Sequence, residues 1–288
     1  MVKATTILLL LHLNVFAQHQ ERTVFVYNVT FGGITSGVGA IINRPKAIGW
    51  KKAFFKGFWQ GSIGGLLNYS GKKTLYLVNE KENDIYSWPA KILHASGTSI
   101  MENAALCQPF LQNWHIDYGL VRFDFSLGVN HKFKVRILPE AVVATILADI
   151  YGKFDLSSSL RTGEIIFKTN KILDLPNTAL ASGVTFGRAI VYVDTPHTYY
   201  TKDRIFSHEL VHRYQYNEYQ IFNSWLNPSA KKIKSKALQN IFSNYIYFDL
   251  PYVFLPYYIN GRPSDSHYYR NFYEFEAERF STNAHVVR

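Results

Sequence analysis

The chain has 288 residues, with 31 Lys and Arg against 21 Asp and Glu, and one cysteine. With 47% hydrophobic residues, 20 Tyr and 21 Phe, it is too apolar to be disordered and long enough to bury a large core. Cys107 alone excludes a disulfide framework and any cysteine-rich zinc or iron–sulfur site, while the net charge of +10 raises nucleic acid or an anionic surface as partner.

Lys3 precedes an apolar run from Ala4 to Leu13, and Val15-Phe16-Ala17 then sets small or branched residues where a signal peptidase reads. That pattern predicts a secretory signal peptide over residues 1–17, too short an apolar run to span a bilayer. The expected localisation is exported: periplasm, outer-membrane-associated or extracellular. Export separates the chain from intracellular DNA and RNA, so no nucleic-acid partner is expected.

Residues 18–120 read as a Gly-rich N-terminal region. Val24, Val26 and Val29 alternate with other residues and predict a first strand over 22–30. Gly33 and Gly37, then Gly57, Gly61 and Gly65, recur every four residues, a spacing that on a helix makes one smooth stripe. Arg44, Lys46, Lys51, Lys52 and Lys56 lie between and around these stretches. Two readings compete for residues 31–71: a peripheral membrane contact, or a helical hairpin packed tightly inside the protein. Lys56 and Gln60 inside the second stretch favour the hairpin. The segment Gly65 to Gly71-Lys72-Lys73-Thr74 is not a phosphate-binding loop, because five residues separate the glycines and Lys73 stands where a hydroxyl belongs.

Residues 121–288 form the second region. Val121, Phe123, Phe125 and Leu127 alternate with polar residues, as do Phe133, Val135 and Ile137 beyond Gly128-Val129-Asn130, so a hairpin with one apolar and one basic face is expected. Further strands are expected over 164–168 and 189–193, and residues 140–150 suit helix or buried strand. His94, His115, His131 and His197 lack ligand-like neighbours in sequence and read as structural, and Cys107 reads as a small buried residue.

The chemistry concentrates in residues 203–220, an uninterrupted helical pattern containing His208, Glu209 and His212. Histidines four apart project from one helix face and can bind one Zn²⁺, with Glu209 beside them to take a proton from the zinc-activated water. A catalytic zinc needs a third protein ligand. Glu274 and Glu278, four apart on a helical pattern over 271–280, supply the candidate: Glu274 as ligand, Glu278 as a group orienting a ligand histidine. Glu276 is expected to point elsewhere and pair with Arg279, and is the fallback ligand. His267 precedes this helix closely enough to donate a hydrogen bond to a tetrahedral oxyanion.

His208-Glu209-Leu-Val-His212 with Glu274-Phe-Glu-Ala-Glu278 resembles the motif pair of the gluzincin metallopeptidases, particularly the CAAX prenyl protease and HtpX type. The resemblance implies His208, His212 and Glu274 as zinc ligands and Glu209 as general base, over roughly residues 189–283. Glu278 departs from it, standing where an Asp is usual. The implied fold is α+β with a zincin-like core: the motif helix, an edge strand just upstream and the downstream ligand helix. The strand over 189–193 is the one expected at that edge, where an extended peptide can add.

The leading expectation is therefore an exported zinc-dependent metallohydrolase acting on a peptide or protein. The competing one is a non-enzymatic cell-envelope protein that holds a membrane through its glycine stripe and basic residues.

Overall fold

A computed structural model describes residues 20–128, 131–174, 181–194, 200–230, 232–249 and 271–282. The signal segment 1–17, His197 and His267 lie outside these residues. The fold is α+β. Helices α1 (Gln20–Asn43), α2 (Trp50–Thr74), α3 (Tyr76–Glu80) and α4 (Ser87–Ala105) come first. An antiparallel meander follows, β1 (Asn113–Tyr118), β2 (Val121–Ser126) and β3 (Lys132–Ile137), with β1 and β2 pairing across residue 120. Then come α5 (Pro139–Tyr151), β4 (Lys153–Phe154), α6 (Leu156–Thr162), β5 (Ile165–Thr169), β6 (Gly183–Phe186) and β7 (Ala189–Val193). The last described elements are α7 (Lys202–Glu218), α8 (Asn223–Ala230), α9 (Lys236–Asn244) and α10 (Phe272–Thr282).

Residues 22–30 are helix, not the expected strand: the alternating valines belong to α1, whose Val24 and Asn28 are one turn apart and both buried. α1 packs along α2 through the glycine stripe. A Cβ at Gly61 or Gly65 would collide with the α1 backbone at Gly32 or Asn28, so the stripe is the seam between two helices and not a lipid face. α1 is by length and hydropathy able to cross a membrane, but 44% of that stretch is buried inside the protein. The opposite face of α2 carries exposed Phe55, Trp59, Ile63 and Leu66.

The four-stranded sheet runs β4-β5-β7-β6, with β5 and β7 parallel and both outer pairs antiparallel. Ile190 and Tyr192 of β7 pack against α7, while Ala189, Val191 and Val193 pack beneath α5. Both faces of β7 are thus buried, as its unbroken apolar run Ala-Ile-Val-Tyr-Val befits a central strand. The expected edge strand is therefore misplaced: β7 is internal, and the strand at the edge beside α7 is β6.

The expected hairpin of β2 and β3 forms, with Phe123 opposite Val135 and Phe125 opposite Phe133. On β3 the apolar residues Phe133, Val135 and Ile137 are exposed, while on the other face Arg122 of β2 is fully buried and Arg136 of β3 half-buried, each paired with an acid. Arg122 binds Asp117 (Nε to Oδ1, 2.7 Å) and stacks on Tyr247, and Arg136 binds Asp124 through two 2.6 Å bonds. Cys107 is half-buried, with φ of 60°, and takes the left-handed position that ends α4.

Candidate metal centre

Two helices build the site. Thr201 caps α7, its Oγ1 accepting from the Arg204 N–H at 3.3 Å, and Asp203 lies in the first turn where the helix dipole favours an acid. Ile205, Phe206, Leu210, Val211 and Tyr214 bury one side of α7 against β7 and the first helices, which turns His208 and His212 towards α10. Phe272, Phe275 and Phe280 seat α10 in the same core and bring Glu274 opposite both histidines.

The three groups converge. His208 Nε2 and His212 Nε2 are 3.1 Å apart, and Glu274 Oε2 lies 3.3 Å from the first and 3.2 Å from the second. Three ligands at about 2.0–2.1 Å from a tetrahedral zinc would be about 3.4 Å apart, so these separations are close to three edges of a coordination tetrahedron. Among the described residues this is the one group of three His, Cys, Asp or Glu spaced to share a metal ion. The donor set, two imidazoles and a carboxylate, suits zinc and leaves a fourth position open.

The electrostatics call for a cation at the same point. Burial disfavours charge on His208, yet hydrogen bonds to Glu274 and Glu278 and the nearby Glu209 push it up to about 10. His212 is raised as well: burial opposes charging, and the charge and hydrogen bond of Glu274 override it. Glu274 resists the upward push of burial and is held well below the usual carboxylate range by His212 and His208. Two imidazoles both drawn towards protonation, with their Nε2 atoms in contact, share a demand for positive charge that one metal ion meets without that repulsion.

Each imidazole is held from behind. His208 Nδ1 faces Glu278 Oε2 at 3.6 Å, and Arg204 donates to the other oxygen of Glu278. His212 Nδ1 lies 2.8 Å from Gln215 Oε1, a partner the sequence reading missed although it stands three residues on, on the same helix face. Gln215 donates its amide to Glu276 Oε2 at 2.8 Å and to the Tyr273 carbonyl at 3.0 Å. Both are acceptors, so the amide oxygen must face His212. Nδ1 therefore carries the proton, and Nε2 presents its lone pair to the metal position.

Glu276 is not among the three converging groups and, as expected, points elsewhere. It is fully buried, accepts from Asn28 of α1 at 2.8 Å and pairs with Lys72 of α2 at 2.8 Å, whose ammonium also pairs with Glu218 at 2.8 Å. The lysine of the rejected phosphate-loop segment is thus a buried counter-ion behind the site. Glu209 leans on the edge strand: Thr185 Oγ1 donates to Oε2 at 2.8 Å and to the Glu209 carbonyl at 3.0 Å. A Cβ at Gly183 would lie 2.8 Å from Glu209 Oε1 and 2.7 Å from Ile205, so only glycine lets this strand come so near. Burial lifts Glu209 above its ordinary value, against the pull of His212, His208 and Thr185.

No family model, curated protein or solved structure matches the chain. His115 is buried on β1 against Thr98 and Ser99 of α4, His94 is buried and stacked on Tyr214, and His131 is exposed.

Proposed function

We propose that the protein is an exported zinc-dependent hydrolase, a peptidase of gluzincin type with a zincin-like core, holding Zn²⁺ through His208, His212 and Glu274. The observation that carries this reading is the convergence of three ligand atoms, from two helices, at tetrahedral spacing. Zinc bound there would supply Lewis-acid activation, bringing the ionisation of water towards neutral pH. Thr185 engages Oε2 of Glu209, and Oε1 is the atom we assign as proton acceptor. Gln215 and Glu278 hold the two imidazoles in the tautomers and orientations a metal requires.

The sheet is what supports a peptide as the substrate. Among the described residues β6 ends the sheet, antiparallel to β7 and directly beside Glu209 through Thr185. An extended peptide adding to that edge by main-chain hydrogen bonds would pass over the site. Near-stoichiometric zinc in gently purified protein, lost in His208→Ala, is the expected result. Protein without zinc that cannot be loaded with it overturns the reading.

A further inference from the structure

We infer that the outer face of α2 docks on an anionic lipid bilayer. This inference is independent of the peptidase reading and uses no residue of the metal centre. From Arg22 to Asn79 the chain contains no Asp or Glu, yet it carries Arg22, Arg44, Lys46, Lys51, Lys52, Lys56, Lys72 and Lys73. Lys72 is consumed internally by Glu218 and Glu276. Arg44, Lys46, Lys51, Lys52 and Lys56 are exposed, on the α1–α2 turn and the first half of α2.

The same surface is aromatic. Phe55, Trp59, Ile63 and Leu66 recur at spacings of four, four and three and form one stripe along α2, directly opposite the glycine seam. Trp59 is 68% exposed, Phe55 59% and Trp50 55%, an unusual outlay of large rings on a surface. Lys51, Lys52 and Lys56 flank the stripe. An apolar stripe containing Trp, edged by lysines whose stems can lie along it, is the pattern of a helix resting in the plane of a headgroup layer. A protein partner would have to meet this face with a surface of acids around an apolar groove, whereas an anionic bilayer offers both layers at once.

A second apolar face provides the control. Val143, Ile146 and Ile150 of α5 are 57%, 62% and 71% exposed, but α5 lies on the far side of the four-stranded sheet from α7 and holds no lysine or arginine. If hydrophobicity alone drove adsorption, α5 would bind as well as α2.

The test is co-sedimentation of the purified chain with vesicles of phosphatidylcholine, with and without about one-third phosphatidylglycerol. We expect salt-sensitive binding to the anionic vesicles and little to the neutral ones, with tryptophan fluorescence quenched by brominated lipid. The Lys51→Gln/Lys52→Gln/Lys56→Gln variant should weaken binding by on the order of a hundredfold, about fivefold per lysine. Phe55→Gln/Trp59→Gln should abolish the depth-dependent quenching, and Ile146→Gln/Ile150→Gln should change neither. All these positions are exposed, and an unchanged circular dichroism spectrum and thermal unfolding midpoint would confirm that each variant folds. Equal binding to neutral vesicles, or loss of binding in the α5 variant alone, overturns the inference. So does self-association that Phe55→Gln/Trp59→Gln disrupts in the absence of vesicle binding.

Discussion

His208 and His212 turn their Nε2 atoms towards one another and towards Glu274, whereas His94 and His115 sit among carboxylates whose charges are already matched. Asp117 is paired with Arg122 (2.7 Å) and Arg188 (2.6 Å), Glu164 with Lys91 (2.6 Å) and Arg213 (3.0 Å), and Glu218 with Lys72. His115 is bracketed by Thr98 and Ser99, each at 3.2 Å, and His94 stacks on Tyr214. The same residue types respond in opposite directions. Burial, reinforced by neighbouring lysine and arginine, drives His94 and His115 well below the ordinary histidine value, while the metal-site pair is driven up. A cluster of His and acid is therefore diagnostic only when its own chain does not supply the cation.

The largest expected effect breaks the comparison on the metal-site side. Glu209→Gln keeps the shape of the side chain and an acceptor for Thr185 but removes the proton acceptor. Hydrolysis of a peptide library should fall by about 10²–10⁴-fold while bound zinc is retained. Activity unchanged by this substitution would remove Glu209 from the mechanism even with zinc present. The same change in the internally paired cluster should act on stability instead. Glu164→Gln leaves Lys91 and Arg213 buried without their anion, and urea unfolding should show a loss of about 3–5 kcal/mol, with zinc per folded molecule unchanged.

Gln215 tests the link between the two clusters, since its amide touches His212 on one side and the Lys72-paired Glu276 on the other. Gln215→Leu should weaken zinc binding about 10–100-fold in a chelator competition, because nothing then holds the proton on Nδ1. If affinity is unaffected, the hydrogen bond does not set the tautomer.

That His208 and His212 come together was legible because their spacing is local: residues four apart on a helix must share a face, whatever else the chain does, whereas Glu274 reaches them from a second helix more than sixty residues on. Their support was not. Lys72 and Asn28 reach Glu276 across more than two hundred residues of sequence, and no periodicity relates them. The strand reading of 22–30 failed because alternating valines do not reveal that a glycine seam waits on the next helix. The hairpin could be read from alternation, but its inside and outside could not. That choice was made by Arg122 and Arg136, which find their acids only in the folded chain. The edge strand was misassigned for a related reason: Gly183–Phe186 is short and weakly patterned, and its importance lies in what a missing Cβ allows.

That strand carries the smallest predicted effect. Thr185 donates to an ionised Glu209, and so favours the charged form against the burial that disfavours it. Thr185→Val removes the donor while keeping the shape, and the pKa of Glu209 must then rise further. A base with a raised pKa stays protonated to higher pH, so the acid limb of the pH–rate profile should move upwards and activity should fall on the acid side while the rate plateau changes little. A limb that moves down, or stays in place while zinc affinity drops, would show that Thr185 acts on the metal position and not on the base. The contrast with Glu164 would then be sharper still: there a carboxylate is held by full charges and its loss should lower stability, whereas at Glu209 a single hydroxyl would tune the group we assign as proton acceptor.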